Sequence, residues 1–275
     1  MIVNKLSWMI GGAQGTGVDS AANLFARTCA SGGFHVYGKR EYHSNIKGRH
    51  SYFQVRVDDK PIRSHVDGVN LLATFDAETV VTHSHEVLPD GGIIYDRDMT
   101  QASISEIPTL ETNLREAIRN RLKAQGFGET VRDALEEARR RGVRLYPIPY
   151  MEMLKEVAEQ LGETKISRVV RIVNTMAVAA SLSLLKFDPN LLATAITAFF
   201  GDKPKVLEMN TAALHKAHEY CRSRFIDGFN YRLEKIEALE ERNLLVGNQA
   251  VALGKLLGGC RFQTYYPITP AADES

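Results

Sequence analysis

The stretch "LSWMIGGAQGTGVDSAANLFA" (Leu6–Ala26) decides the fold of this 275-residue chain. Its apolar start, "LSWMI", predicts a short buried strand, and "GGAQGTG" (Gly11–Gly17) predicts a tight turn. From Val18 onward, apolar residues recur at helical spacing until the glycines at 32 and 33. A strand, a glycine turn and a helix in this order open a βαβ unit. We therefore predict an α/β fold built on a mostly parallel sheet.

The pattern changes from strands to helices near residue 150. Before it, strand-like runs continue from "SYFQVRV" (Ser51–Val57) to "RGVRLYPIP" (Arg141–Pro149). After it, the sequence predicts a helical C-terminal half, with one long apolar helix over residues 167–187 and a helix that starts with Asp188 as N-cap and Pro189 behind it. Asn174 in the long helix is predicted to be a satisfied buried polar group.

Composition argues against several classes of function. The formal net charge is +1, so no global field favours nucleic acid or a membrane surface. Cys29, Cys221 and Cys260 are far apart and form no Cys-x-x-Cys pair, which gives no basis for a zinc site or an iron–sulfur cluster in this chain. Unpaired, scattered cysteines fit a reducing compartment, and we predict a cytoplasmic protein.

The glycine turn is a candidate anion site. Unpaired backbone N–H groups and the helix dipole favour negative charge at such a helix start. The turn lacks the Gly-Lys-Ser/Thr ending of a P-loop, and its glycine order differs from the dinucleotide fingerprint. A nicotinamide site has an acidic residue after the second strand, whereas Lys39 and Arg40 come first at that position here. This difference disfavours a nicotinamide- or flavin-binding dehydrogenase domain. The alternative is a turn that only lets the helix pack on the sheet.

The loop "SNIKGRH" (Ser44–His50) is a second candidate element. Lys47 and Arg49, with Asn45 upstream, would suit a polyanionic ligand, since arginine binds phosphate in a bidentate manner. A solvated charged loop is the alternative, and composition alone favours it. Nearby, His83 and His85 could form a metal pair, but no third ligand is placed by the sequence. Surface or helix-capping histidines are the commoner case.

Three motifs together resemble a known family. They are "GGAQGTGVDSAANLFA", "SNIKGRHSYFQVRV" and "LLVGNQAVALG" followed by "FQTYYPITPAADE". In this order they resemble the alpha subunit of archaeal-type 2-oxoacid:ferredoxin oxidoreductases, in which a gamma domain is fused ahead of a pyrimidine-binding alpha domain. The resemblance implies a gamma-type domain at 1–230, a charged linker at 231–243, and the beginning of the thiamine-type pyrimidine domain at 244–275.

The resemblance implies oxidative decarboxylation of a 2-oxoacid on thiamine diphosphate. Electrons leave through a [4Fe–4S] cluster to ferredoxin, and the acyl group passes to coenzyme A. Thiamine diphosphate, Mg²⁺ and the cluster are expected mainly in a partner beta subunit, within a homodimer or heterotetramer. The gamma domain is associated with coenzyme A. The residues that we expect to bind coenzyme A are Gly12, Gln14, Gly15, Gly17, Asn45, Lys47 and Arg49.

The resemblance implies a substrate site at the motif "YPITP", for which a strand-ending double-proline turn is the alternative. By resemblance it lies at the thiamine and 2-oxoacid site, and Thr269 faces the 2-oxo group as the catalytic residue. A hydroxyl held by a proline-fixed turn is preorganised to donate to a developing negative charge. The substrate residues are Tyr266, Pro267, Ile268, Thr269 and Pro270.

The family's alpha domain extends well beyond this motif, so we expect a truncated alpha domain and a chain that is catalytically inert alone. The alternative function is a non-catalytic dimerisation or docking scaffold of such a complex. In that case the apolar helices at 167–200 would supply the interface, and the glycine turn would serve packing only.

Overall fold

The computed structural model describes residues 1–41, 48–225, 228–237, 242–268 and 271. The chain forms two compact units, 1–237 and 238–275. The strands of the described chain are β1 (Ile2–Val3), β2 (Lys5–Ala13), β3 (His35–Arg40), β4 (His50–Asp58), β5 (Val69–Thr74), β6 (Val87–Asp96), β7 (Arg144–Ile148) and β8 (Tyr231–Arg232). The helices are α1 (Val18–Ser31), α2 (Ala77–His83), α3 (Thr112–Ala124), α4 (Val131–Arg140), α5 (Tyr150–Gln160), α6 (Ile166–Val169), α7 (Val173–Leu184), α8 (Pro189–Phe200), α9 (Pro204–Arg224) and α10 (Gly247–Leu257).

A six-stranded sheet organises the first unit, in the order β3-β4-β2-β5-β6-β7. The pairs β2–β5, β5–β6 and β6–β7 are parallel, whereas β4 runs antiparallel to both β2 and β3. The prediction of an α/β fold with a mostly parallel sheet is therefore confirmed. β4 lies between β2 and β3, so the β2–α1–β3 connection passes over it. The carboxyl ends of β2 and β3 still lie at the same edge of the sheet.

Successive side chains of β2 point to opposite faces of the sheet, so this strand contributes to both hydrophobic cores. Trp8 and Ile10 point into the core shared with α1 and the helical half, whereas Met9 points into the core formed with α2, α3 and α4. The ring of Trp8 stacks on Phe25 of α1 with centroids 4.1 Å apart, and its indole N–H donates to Ser181 Oγ of α7 at 2.9 Å. One residue of β2 thus joins the sheet to two helices.

The helical half differs from the prediction at one point. The expected single helix over 167–187 is interrupted, because α6 ends at Val169 and a short 3₁₀ segment, Val170–Ile172, precedes α7. This segment is rich in β-branched residues, which crowd the preceding turn of an α-helix. The start of α8 is as predicted: Asp188 is the N-cap, and its carboxylate accepts from the N–H of Asn190 at 2.9 Å.

Part of the predicted linker belongs to the first unit. Within 231–243, Tyr231–Arg232 form β8, which pairs in parallel with β1. The N–H of Ile236 donates to the carbonyl of Gly32 at 2.8 Å. A side chain at Gly33, which has a φ of 91°, would collide with the backbone of Ile236. The chain is therefore held against the end of α1 at Ile236, and the first unit extends to Glu237.

The second unit contains α10, and residues 258–268 after it form neither helix nor strand. No residue of α10 is buried, and Leu256 and Leu257 are 72% and 81% exposed. A single helix cannot bury a core of its own. Nowhere in the described residues is a helix both long enough and apolar enough to cross a bilayer.

Candidate functional site

The glycine turn is shorter than the sequence suggests. Gly11 and Gly12 belong to β2, which ends at Ala13. A Cβ at Gly11 would meet Thr79, and one at Gly12 would meet the ring of Phe75. These two glycines thus allow close packing on α2 and its N-terminal loop. The role of Gly12 in anion binding stays a prediction.

The turn itself runs from Gln14 to Gly17. Gly15 and Gly17 have φ values of 92° and 97°, in the left-handed region where glycine is unstrained. The N–H of Thr16 donates to the carbonyl of Ala13 at 3.0 Å, which closes the turn. Across the described part of the chain, no hydrogen bond uses the N–H of Gly15, Gly17 or Val18. These amides form a donor set at the start of α1, where an anion is favoured.

Asn174 of α7 lies directly beneath this turn. Its Nδ2 donates to the carbonyl of Thr16 at 2.7 Å. Its Oδ1 is buried and finds no hydrogen-bond partner among the described residues. Asn174 is 8% exposed. The prediction that this residue is a satisfied polar group is therefore only half right, because one of its two polar atoms is unsatisfied.

A cavity of about 180 Å³ opens beside the turn. Its lining residues are Gln14, Gly15, Gly17, Val18, Asp19, Ser20, Arg40, Glu41 and Ser51. The guanidinium of Arg40 lies 3.2 Å from the carboxylate of Asp19, and both side chains are about half-exposed. The site prediction missed Arg40. The available signal was its place at the carboxyl end of β3, which the topology brings to the same edge as the turn.

Arg49 reaches the turn through its backbone. Its carbonyl accepts from the N–H of Gln14 at 2.7 Å. Its guanidinium instead pairs with the carboxylate of Glu111, the N-cap residue of α3, at 2.8 Å. Both side chains are exposed, so the pair is open to exchange with water and ions. Asn45 and Lys47 lie outside the described residues.

A histidine pair lies at the first residue of β4. The Nε2 atoms of His50 and His83 are 2.8 Å apart, and Nδ1 of His83 lies 2.8 Å from Glu86 Oε1. If His83 donates from Nδ1 to the carboxylate, its Nε2 accepts the proton of His50. Burial is the largest single influence on Glu86 and opposes its ionisation, but the bond from His83 and the positive charge of neighbouring side chains together hold the pKa of Glu86 below its usual value.

The sequence left a metal pair of His83 and His85 as the less favoured alternative to surface or helix-capping histidines, and the structure places the two residues in different surroundings. His83 is 4% exposed and bonded to His50 and Glu86, whereas His85 is an exposed residue of the following 3₁₀ turn. In the part of the chain that the structure describes, no group of three or more His, Cys, Asp or Glu side chains could hold a metal ion.

The "YPITP" motif is described only in part. The N–H of Ile268 donates to the carbonyl of Tyr266 at 2.7 Å, which shows a tight turn around Pro267. Tyr266 and Ile268 are 77% and 60% exposed within the second unit. Thr269 and Pro270 lie outside the described residues. The catalytic and substrate roles of this motif stay predictions.

The cysteines are separated in the structure as in the sequence. Cys29 and Cys221 are buried, and Cys260 is exposed. Burial raises the pKa of the Cys221 thiol to about 12 and raises that of Cys29 further. Thiolates are the form that binds metals and attacks electrophiles, so neither buried thiol suits either role.

Comparison with known proteins identifies the family. Residues 7–220 match the family described as pyruvate ferredoxin/flavodoxin oxidoreductase. The alpha subunit of 2-oxoacid:ferredoxin oxidoreductase 1 from Sulfurisphaera tokodaii is 42% identical over 271 residues, which cover 98% of this chain and 42% of that protein. The alpha subunit of 2-oxoacid:ferredoxin oxidoreductase 2 from Aeropyrum pernix is 35% identical over 273 residues, with the same coverage. The chain thus spans about two fifths of the length of these relatives.

A solved structure shares the fold. It is a 2-oxoglutarate:ferredoxin oxidoreductase from Magnetococcus marinus with 2-oxoglutarate, coenzyme A and succinyl-CoA bound. It superimposes with a TM-score of 0.72 at 24% identity, over 98% of this chain and 40% of that one. The family match covers most of the chain, and the archaeal relatives align along nearly all of it. This chain therefore belongs to the pyruvate ferredoxin/flavodoxin oxidoreductase family.

Proposed function

We propose that this chain is part of a 2-oxoacid:ferredoxin oxidoreductase and supplies its gamma-type domain on the coenzyme A side. The whole enzyme would convert a 2-oxoacid and coenzyme A into acyl-CoA and pass electrons to ferredoxin. The relatives carry the name of that activity, and the Magnetococcus marinus structure contains coenzyme A. We propose a cytoplasmic complex with a beta subunit, assembled as a homodimer or heterotetramer.

One observation carries the coenzyme A role. The N–H groups of Gly15, Gly17 and Val18 have no partner in the described chain and lie at the rim of a cavity at the sheet edge. Coenzyme A carries a pyrophosphate and a 3′-phosphate. Backbone amides at a helix start, assisted by the helix dipole, can bind one such group without any side-chain rearrangement.

Cationic side chains would bind the remaining charge. Arg40 lies on the wall of the cavity, and Arg49 is joined to the turn through its backbone. Each is already paired with an exposed carboxylate, Asp19 or Glu111. An incoming phosphate would replace these carboxylates, and the exchange loses little because exposed pairs contribute only about 0–1 kcal/mol. Lys47 and Asn45 are proposed to contact the same ligand.

The electron-transfer groups fit this chain poorly. A [4Fe–4S] cluster needs several convergent thiolates, whereas Cys29 and Cys221 are buried with raised pKa values and Cys260 lies in the other unit. We propose that thiamine diphosphate, Mg²⁺ and the cluster are held mainly by the beta subunit. Thr269 would then face the 2-oxo group in the whole enzyme, and this chain alone would not turn over 2-oxoacids.

Calorimetric titration with coenzyme A tests the proposal. We expect binding that weakens with added salt, since phosphate contacts are screened. Dephospho-coenzyme A, which lacks the 3′-phosphate, should bind more weakly, and pantetheine, which lacks all phosphates, should not compete. The double change Lys47→Ala/Arg49→Ala should weaken binding about tenfold or more, given the strength of charge-assisted hydrogen bonds.

Arg171→Ala is the matched control, because Arg171 is an exposed arginine of the 3₁₀ segment before α7. It should leave the affinity unchanged. Equal affinity for coenzyme A and pantetheine would contradict the anion site. Absence of coenzyme A binding together with a stable dimer would instead favour the docking scaffold.

A further inference from the structure

We propose that Asn174 is a positioning residue, which orients the amides of the glycine turn toward their ligand. The inference rests on the proposed coenzyme A site and adds a residue from a distant helix to it. Asn174 lies 158 residues away from Thr16 in the sequence, and a hydrogen bond of 2.7 Å joins its Nδ2 to the Thr16 carbonyl.

Because the peptide group is planar, this single hydrogen bond also fixes the direction of the next backbone N–H group. In a trans peptide the carbonyl and the following N–H point in opposite directions. The Thr16 carbonyl points inward to Asn174, so the N–H of Gly17 must point away from α7. That N–H is one of the amides without a partner in the described chain, and Gly17 lines the cavity. Asn174 therefore selects the peptide orientation that an anion needs.

The fit between the two residues is specific. A Cβ at Gly17 would collide with the side-chain amide of Asn174, so only glycine lets the turn approach this closely. The backbone of Gly17 also lies in the left-handed region, with a φ of 97°. Rotation of the Thr16–Gly17 peptide would be inexpensive in a free glycine loop. The bond to Asn174 removes that freedom.

The unsatisfied oxygen argues against a purely structural role. Oδ1 of Asn174 is buried without a partner in the described chain, which is unfavourable for folding. An apolar residue of the same shape would avoid that penalty. Sites that keep a locally unfavourable group are commonly functional ones. Asn210 of α9 is a useful contrast, because its Oδ1 accepts from Thr175 at 2.5 Å and its Nδ2 donates to the Val206 carbonyl at 2.7 Å.

The test compares Asn174→Leu with Asn210→Leu in this chain. Asn174→Leu should keep thermal stability near that of the wild type but weaken coenzyme A binding about tenfold, the value of one hydrogen bond. Asn210→Leu should lower the melting temperature and leave the affinity unchanged. Undiminished coenzyme A affinity in Asn174→Leu would overturn the proposal.

Asn174→Asp adds a pH-dependent readout. A protonated carboxyl can donate to the Thr16 carbonyl, whereas a carboxylate cannot. The ratio of variant to wild-type affinity should therefore rise as the pH falls, and a constant ratio would count against positioning.

Glycine-selective ¹⁵N spectra without ligand separate this proposal from the proposed function. Asn174→Leu should shift the Gly15 and Gly17 amide signals. Unchanged signals would overturn the positioning role even if coenzyme A binds elsewhere. Shifted signals in a protein that binds no coenzyme A would support positioning and reject the coenzyme A site.

Discussion

The Nε2 atoms of His50 and His83 lie 2.8 Å apart, so a single shared proton joins β4 to the end of α2. His50→Phe keeps a ring of similar size in place but leaves Nε2 of the buried His83 without its partner. We expect a loss of about 1–3 kcal/mol in the free energy of unfolding, the usual penalty for a buried unsatisfied polar atom. Urea unfolding followed by the fluorescence of Trp8, the single tryptophan, measures it.

His85→Phe is the control for that change. His85 is the exposed histidine two residues from His83, and its replacement should alter stability by less than about 0.5 kcal/mol. Equal losses in the two variants would show that the histidine pair contributes nothing beyond ring packing.

The two left-handed glycines of the turn should respond differently to substitution. Alanine at either position would be destabilising by about 1–2 kcal/mol, because its side chain is strained in the left-handed backbone conformation. A Cβ at Gly15 has no atom within 4 Å, whereas one at Gly17 collides with Asn174. Gly17→Ala should therefore destabilise the protein more than Gly15→Ala in urea unfolding. Equal losses would mean that Asn174 moves aside freely, which would also weaken its proposed positioning role.

Local patterns in the sequence predicted the frame of the fold well. The run from Leu6 to Ala26 specifies strand, turn and helix within neighbouring residues, and the structure reproduces that order. The position of β4 between β2 and β3 was not predictable in this way. Periodicity shows that Ser51–Val57 is a strand, but its neighbours are set by tertiary pairing, as in the antiparallel register that joins Trp8 to Val55.

In the candidate site, too, local features were predictable from the sequence, whereas contacts between distant residues were not. The spacing of the glycines located the turn, because positions with a left-handed backbone conformation are usually occupied by glycine. Asn174 was recognised as buried, but its contact with Thr16 joins residues far apart in sequence, and no local pattern encodes that. The pairing of Arg49 with Glu111 was missed for the same reason. Composition identifies a basic loop, but it does not identify the carboxylate that neutralises it.

Glu111 should weaken anion binding by competing for Arg49. In Glu111→Gln the guanidinium is freed and one negative charge is removed, so we expect coenzyme A to bind up to about fivefold more tightly, the equivalent of an exposed ion pair. Calorimetry at low and high salt measures this, and the gain should shrink as salt screens the charges.

Two variants control that experiment. Glu129→Gln breaks an exposed pair with Arg119 and should leave the affinity unchanged. Adding Arg49→Ala to Glu111→Gln should abolish the gain. A gain that survives in the double variant would mean that Glu111 acts through the general field and that Arg49 does not bind the ligand.

Glu86 should make stability depend on pH on the acid side. Its pKa is held below the usual value of 4.5, because the bond from His83, together with nearby positive charge, outweighs the opposing effect of burial. A carboxyl whose folded pKa is depressed stabilises the protein above its unfolded pKa, and this contribution is lost as the pH falls through the folded value. Glu86→Gln should therefore be less stable than the wild type near neutral pH, and the difference should shrink below about pH 4.5. Urea unfolding from about pH 7 to about pH 3 measures the difference. In a His83→Gln background the pH dependence should largely vanish, and a difference that persists there would assign it to another neighbour of Glu86.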